Sequence, residues 1–563
     1  MNNSKSRSSV IAYLIAVAAI IVLLVILGIT NGGSGFAGTG WALLPPAVAI
    51  VLALISKEVY SSLFIGCLVG ALLYCNFNIW DSIVALIGDE YGIISVLSDS
   101  YNIGIIAFLV MLGILVGLVN RAGGSAAFGR WAKAKVKTRV GAQLLTSLLG
   151  VLIFIDDYFN CLTVGAVMRP VTENHKISRA KLAYIIDATA APVCMLAPIS
   201  SWAAAVSGYV NNDTVDGFAM FLKQIPYNYY CILTIVMIII ISVLNFDYGP
   251  MLTHEYNAQV KNDLYTTEER PFEGDDEYVE GGKKASILDL IVPVIVLIIT
   301  CVIGMIYTGG YFDASSDYYM SLQGAFSEAD ASMGLALGGI IAVIFTIIYF
   351  ICRGNITPMN KAFDQIPEGL IQMASPILVL TFAWTLCSFT RNALDSASFV
   401  NGLLANAGSF QNLLPAFIFL LGCVIAFATG TSWGTIGIMA PIAVGVFDYA
   451  TNPTLCVLSL AAACAGGVCG DHCSPISDTT IMASAGAHCY HLNHVFTQLP
   501  YAVTVVAVSF VSFIIAGFVQ NAAICLLISL VLMIATLLVI RKITLSRHAD
   551  TYSEIAAANA VTE

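Results

Sequence analysis

Two stretches of this chain decide its reading: FIDDYFNCLTVGAVMRP at residues 154–170 and ATGTSWGTIGIMAP at residues 428–441. Each opens on polar residues, runs on as an apolar segment and closes on Met-x-Pro. A second pair follows them, APISSW at 197–202 and SPISDT at 474–479. Arg121 matches Arg391 at an offset of 270, Met168 and Pro170 match Met439 and Pro441 at 271, and Pro198-Ile199-Ser200 matches Pro475-Ile476-Ser477 at 277. Offsets that hold this nearly constant indicate a duplicated half. Polar, proline-broken stretches inside apolar segments have little use in an aqueous enzyme, so no enzyme is expected. They serve a secondary transporter, where broken helices of two halves place freed backbone groups around an ion or solute at the bilayer midplane.

Composition sets the class. Hydrophobic residues make up 58% of the 563, charged residues only 10%, and the mean hydropathy is +0.86, which excludes a soluble globular chain and points to a polytopic helical membrane protein. Nucleic-acid binding has no footprint. The formal charge of -11 is concentrated in loops, notably TTEERPFEGDDEYVEGGKK at 266–284, which reads as a solvated loop. Most of the 15 cysteines lie singly in apolar stretches, as do Cys67, Cys161, Cys231, Cys301 and Cys423, and act there as small hydrophobes. No disulfide framework is implied. Lys5 and Arg7 precede an apolar run from Val10 to Thr30 that is too long for a signal-peptide core, so it reads as a retained first transmembrane helix.

Positive charge sets the topology, because cytoplasmic loops carry the Lys and Arg excess. Arg130, Lys133, Lys135, Lys137 and Arg139 precede the apolar stretch 140–168, and Arg169, Lys176, Arg179 and Lys181 follow it, so both flanks are placed in the cytoplasm. A segment that leaves and returns to one side reads as a re-entrant hairpin with its tip at Asp156 to Asn160; the alternative is a pair of short crossings with the acidic tip outside. The stretch 413–447 is then a second hairpin, entering from the opposite side with Thr429 to Ser432 at its tip. The expected fold is an all-α polytopic membrane protein of about twelve transmembrane helices plus two re-entrant hairpins, in two inverted-topology repeats. Its divisions are 1–40 (first helix and external loop), 41–246 (first repeat), 247–285 (cytoplasmic linker loop), 286–519 (second repeat) and 520–563 (last helix and tail). Both termini are expected in the cytoplasm of a bacterium, with the chain in its inner membrane.

The candidate site residues follow from the cost of polarity in lipid. A charge at bilayer depth costs roughly 2.5–3.5 kcal/mol, so the adjacent Asp156 and Asp157 are expected to be functional, with Asn160 and Thr163 on the same segment. Two close carboxylates titrate as a coupled unit, and a cation that binds them displaces protons, which is the minimum physics of cation/proton exchange. The bland reading is an acid that merely pairs with a base such as Arg169. In GDHCSPISDTT at 470–480, Pro475 unwinds a turn and leaves carbonyls beside Asp471, Ser474, Ser477, Asp478, Thr479 and Thr480. Oxygen-only ligation suits Na+, with Asp157 and Asp478 as its anionic ligands, whereas Cys464, Cys469, Cys473 and His472 lack the spacing of a zinc knuckle. Ser200 and Ser201, after Pro192 and Pro198, form the matching break, and Thr429, Thr431 and Ser432 the second tip. Asp187 reads either as part of a proton path or as a helix acid near the cytoplasmic interface. His488, His491 and His494 read as solvated interfacial histidines, with pH sensing as the sharper alternative.

KEVYSSLFIG at 57–66, the run from FIDDYF to APISSW at 154–202, and GDHCSPISDTT at 470–480 closely resemble the NhaC-type sodium/proton antiporter family of the ion transporter superfamily. The resemblance spans about 40–540. It implies Na+ and H+ as the transported partners, no organic cofactor, opposed hairpins with unwound helices, and a homodimer with an elevator-like transport domain. Some relatives are thought to move organic acids or amino acids, so a sodium- or proton-coupled carrier of a small organic solute is the alternative. Deep Arg or Lys is scarce in the sequence, which favours a bare cation, or a zwitterion whose carboxylate rests on a helix N-terminus.

Overall fold

The computed structural model describes residues 35–56, 59–88, 90–211, 215–270, 285–327, 329–356, 360–396, 398–399, 408–475 and 477–560, with 15, 17–27 and 29. Residues 10–14, 16, 28 and 30 of the expected first helix and residues 271–284 of the acidic run therefore lie outside the described residues. Among those residues every regular element is helical and no strand forms. Seven helical runs are long and apolar enough to cross a membrane, or eight if Gly217–Tyr227 and Tyr229–Val243, bent by 46°, make one span. Several apolar stretches of the sequence are not single spans. The stretch 182–209 is divided among Arg179–Thr189, Ala191–Cys194 and Ser201–Val210, and 455–487 between Pro453–Cys473 and Asp478–Gly486.

Both expected hairpins are helix-turn-helix units. The first pairs Arg139–Leu152 with Asp157–Asn174, and the second pairs Leu414–Thr429 with Ser432–Val446. Local chemistry writes these boundaries. Thr138 caps its helix by accepting from Gly141 N at 3.0 Å, and Thr431 accepts from Gly434 N at 3.4 Å. Gly430 ends the first arm of the second hairpin at φ 70, a left-handed value that glycine adopts without strain. At the proline-containing breaks the capping residue is a serine in both halves. Ser200 accepts from Ala203 N at 3.0 Å and Ser477 from Thr480 N at 3.3 Å.

The Pro453–Cys473 helix is buried from Leu455 onward and forms the centre of the bundle. It packs against Leu414–Thr429 so closely that a Cβ at Gly470 would stand 2.2 Å from the carbonyl oxygen of Cys423. Asp157–Asn174 meets Asp478–Gly486 in the same way: a Cβ at Gly165 would lie 2.4 Å from the backbone of Gly486. This contact brings the acid-bearing hairpin to the second break.

The segment read as a linker loop carries a helix, Pro250–Val260, that is half buried. Its Glu255 accepts from Ser178 N at 2.9 Å and pairs with Arg139, so it holds the starts of two helices. Beside it Lys181, fully buried, pairs with Asp247, which also accepts from Tyr501 Oη at 2.5 Å. The final helix, Ala549–Ala560, reaches the same point, where Tyr552 Oη donates to Asp247 O at 2.6 Å. Buried basic residues are thus less scarce than the sequence suggested: Lys181, Arg169 and Arg179 are all buried. Lys181 can be buried because Asp247 compensates its charge.

Candidate functional site

Three polar segments converge on one thiol. Asp156 and Asp157 from the first turn, Asp187 from Arg179–Thr189 and Asp471 from the end of Pro453–Cys473 all lie within electrostatic reach of Cys161. Cys161 is fully buried and its Sγ donates to Thr479 O at 3.6 Å. All four acids are no more than 2% exposed. Asp156 and Asp471 also act on Asp157, so three carboxylates from two separate breaks share one field. Sequence spacing could not have shown this, since Asp157 and Asp471 are more than three hundred residues apart.

Each expected residue has a definite place. Asp157 Oδ2 accepts from Trp202 Nε1 at 3.0 Å, and Ser201 N donates to Ile155 O at 2.9 Å, which fastens the first turn to the first break. Asn160 is committed to structure through its amide, whose Nδ2 donates to Gly150 O, Ile153 O and Thr189 O at 2.7, 3.0 and 3.2 Å. Its buried Oδ1 has no hydrogen-bond partner among the described residues. The Ser200 hydroxyl is committed as well, donating to Cys194 O at 2.7 Å while it caps its helix. Ser201 Oγ is buried and has no such partner. Thr163 is buried on the Asp157–Asn174 helix.

At the second break, Asp471 Oδ2 accepts from Thr479 Oγ1 at 3.3 Å, and that hydroxyl lies 3.1 Å from Ser477 Oγ. Ser474 Oγ donates to Phe427 O at 2.7 Å and ties the break to the second hairpin. The side chain of Asp478 lies outside the described residues. The second tip brings Thr429, Thr431 and Ser432 to the group through a ring contact. Trp433, next to Ser432, stacks on Trp202 at 4.4 Å between centroids, and Trp202 is the residue bonded to Asp157. Thr429 is buried and Thr431 is held by its capping role. The four breaks therefore meet: carboxylates come from the first turn and the second break, and indoles from the first break and the second tip.

Asp187 is buried among partners from two other helices. Its Oδ2 accepts from Thr480 Oγ1 at 3.1 Å and Gln498 Nε2 at 3.2 Å and lies 3.1 Å from His494 Nε2. Gln498 also donates to His472 O at 2.6 Å, and His472 Nδ1 lies 2.7 Å from Tyr230 Oη. Thr480 Oγ1 also lies 3.5 Å from the backbone carbonyl of Asp471, so polar contacts run from that carbonyl through Thr480 to Asp187 and His494. His494 is fully buried, so the reading of solvated interfacial histidines fails for it. His491 bridges Ser484 Oγ at 3.0 Å and Pro475 O at 2.7 Å. The sequence signal was the i, i+4 spacing of His494 and Gln498, which put two polar groups on one face of an apolar helix. Trp202 and Trp433 were legible only as matching tryptophans after the two serines.

Among the described residues no group of three or more His, Cys, Asp or Glu side chains is arranged to hold a metal ion. A cation held here would draw instead on mixed oxygens, carboxylate, hydroxyl and carbonyl, which suits a hard monovalent ion.

The model of the Na+/H+ antiporter family matches residues 193–518. An uncharacterized protein of Haemophilus influenzae is 37% identical over 491 residues, which are 86% of this chain and 92% of that protein. Among solved structures, the YdaH transporter of Alcanivorax borkumensis is similar with a TM-score of 0.53, covering 76% of this chain and 88% of its own at 15% identity. At that identity the likeness is one of fold.

Proposed function

Since the chain belongs to the Na+/H+ antiporter family and is a multi-pass secondary transporter, we infer that it exchanges Na+ for H+ by alternating access. The observation that carries this reading is the convergence of Asp156, Asp157 and Asp471 in a buried, oxygen-rich group adjoining a separate chain of titratable residues. Three carboxylates in one field cannot all stay charged without a cation, so Na+ and protons compete for them. Asp157, Asp156 and Asp471, with Asp478, Thr479, Ser201 and Asn160 Oδ1, supply the oxygen set for Na+. Asp187, His494 and His472 carry the proton towards the other side.

The matching breaks support two repeats of inverted topology, whose exchange of conformation would open the site to alternate faces. The Lys and Arg distribution supports cytoplasmic termini in a bacterial inner membrane. A homodimer is the assembly we expect from the family. The deciding experiment uses purified protein in proteoliposomes with no organic solute. An inward Na+ gradient should drive H+ out and alkalinise the lumen, and acidification or no proton movement under that gradient would overturn the reading.

One observation favours a second reading, a cation-coupled carrier of a small organic acid or amino acid. The N-termini of Ser201–Val210 and Ser432–Val446 meet at the Trp202–Trp433 stack, and Ser201 Oγ and Trp433 Nε1 are buried donors with no hydrogen-bond partner among the described residues. Two helix N-termini and two donors suit a carboxylate. Proton flux that requires an added amino or organic acid would select this reading.

A further inference from the structure

The second half holds an amphipathic cavity that the transport reading does not use. It lies between the Gln365–Cys387 helix, the start of Leu44–Ser56 and the C-terminal part of Ser432–Val446, and encloses about 650 Å³ of empty space, its open mouth included. Leu43, Leu386, Ile438 and Ile442 are among the apolar side chains of its wall. Into this wall a π-helical turn, Ser388–Ala393, sets Arg391 and Thr390. Turns of this kind are rare and are frequent at functional sites.

Arg391 is half-buried, and no ion pair or hydrogen bond of its guanidinium occurs among the described residues; Asp395, four residues on in the sequence, and Asp448, which like Arg391 acts electrostatically on Cys456, accept from Ser398 N and Ala450 N. Thr390 is more than nine-tenths buried and its Oγ1 also has no hydrogen-bond partner among the described residues. A charged fork and a hydroxyl beside a hydrocarbon wall form a polar head site with an apolar tail site. Arg121, the counterpart of Arg391 in the first half, is exposed in the last turn of its helix, so the cavity is not a by-product of the repeat.

We propose that this cavity binds an amphipathic monoanion, with a carboxylate or phosphodiester head on Arg391 and Thr390 and a hydrocarbon chain along the apolar wall. One guanidinium matches one negative charge, and its planar donors suit two oxygens of such a head. The apolar wall disfavours small hydrophilic anions, which would lose hydration without compensation. A free fatty acid and an anionic phospholipid share this chemistry.

Two variants test it on the full chain in mild detergent. Arg391→Gln removes the charge and keeps hydrogen-bonding capacity. Gly445→Leu fills the cavity, and a Cβ at Gly445 would meet nothing within 4 Å, so this variant is expected to fold. Phosphatidylglycerol, decanoate and, as the neutral control, phosphatidylcholine are each titrated and counted by native mass spectrometry. The wild type should retain one phosphatidylglycerol or one decanoate at least about tenfold more tightly than either variant, as expected for losing one charge-assisted contact, with phosphatidylcholine unaffected. Displacement of phosphatidylglycerol by decanoate places both at this cavity; retention of one alone identifies the source. Equal retention of both anions in all three proteins, or of neither in the wild type, would overturn the proposal.

Discussion

The two hairpin turns are built alike and charged differently. The first, at 153–157, leads into a helix that begins with Asp157 and contains Pro170; the second, at 430–431, leads into a helix that begins with Ser432 and contains Pro441. Both lie beside a tryptophan, and the two rings stack. Yet the first turn brings two carboxylates and the second none. The proline breaks reverse this, since 197–201 is uncharged and 471–480 carries Asp471, His472 and Asp478. Charge thus stands at two of the four breaks, the first turn and the second proline break. On the proposed function, that division leaves the neutral breaks to shape the site and the charged ones to bind and titrate.

The comparison breaks most directly at Asp157. Asp157→Asn keeps an acceptor for Trp202 Nε1, so the protein should still insert, while sodium-driven proton flux in proteoliposomes falls by about a hundredfold or more. Flux and pH dependence equal to wild type would make the charged turn as structural as the neutral one. Asp471→Asn preserves the acceptor for Thr479 and removes one anionic oxygen. The Na+ concentration giving half-maximal thermal stabilisation should rise by about tenfold, as for a lost charge-assisted contact of roughly 1.5–3 kcal/mol. An unchanged midpoint would confine Na+ to the first turn.

A smaller effect is expected at His494, where His494→Gln keeps a hydrogen-bond donor to Asp187 and removes the imidazole. Na+ binding should hold while the pH profile of exchange moves by about one unit; a parallel loss of both would show a structural role. Acid sensitivity must be read against His254, outside the spans, which burial pushes down to about 4 from the ordinary 6.5. The unfolded chain then holds more protons than the folded one between those values, so stability is full above about 6.5 and is lost as pH falls towards 4. Up to about 1–3 kcal/mol is involved. His254→Gln should flatten the decline in thermal stability between pH 6.5 and 4 without moving the pH profile of exchange. The least effect belongs to the neutral turn: Thr431→Ala removes a cap and should cost about 1 kcal/mol in stability, with Na+ affinity within about twofold of wild type.

The membrane class, the helical content, the two hairpins and the paired serine breaks were all legible in the sequence, because each depends on local terms. Hydropathy sums along the chain, a proline or a capping hydroxyl acts within a turn, and a duplicated motif is visible as an offset. Asp156, Asp157 and Asp471 stood out because isolated charge in an apolar run is costly wherever it falls. What the sequence could not supply was which breaks meet. Contact between Gly165 and Gly486 joins the first turn to the second break, and nothing local to either glycine requires it. The same holds for Lys181, counted on the sequence as a flanking charge and buried by its pairing with Asp247. His494 read as interfacial because the broken helix was expected to meet the cytoplasm there; His494, Thr480 and Gln498 gather around one oxygen of Asp187 only after three helices pack. Burial and pairing are properties of the assembled bundle, where a polar group's cost depends on neighbours hundreds of residues away, and so the tertiary structure alone decided them.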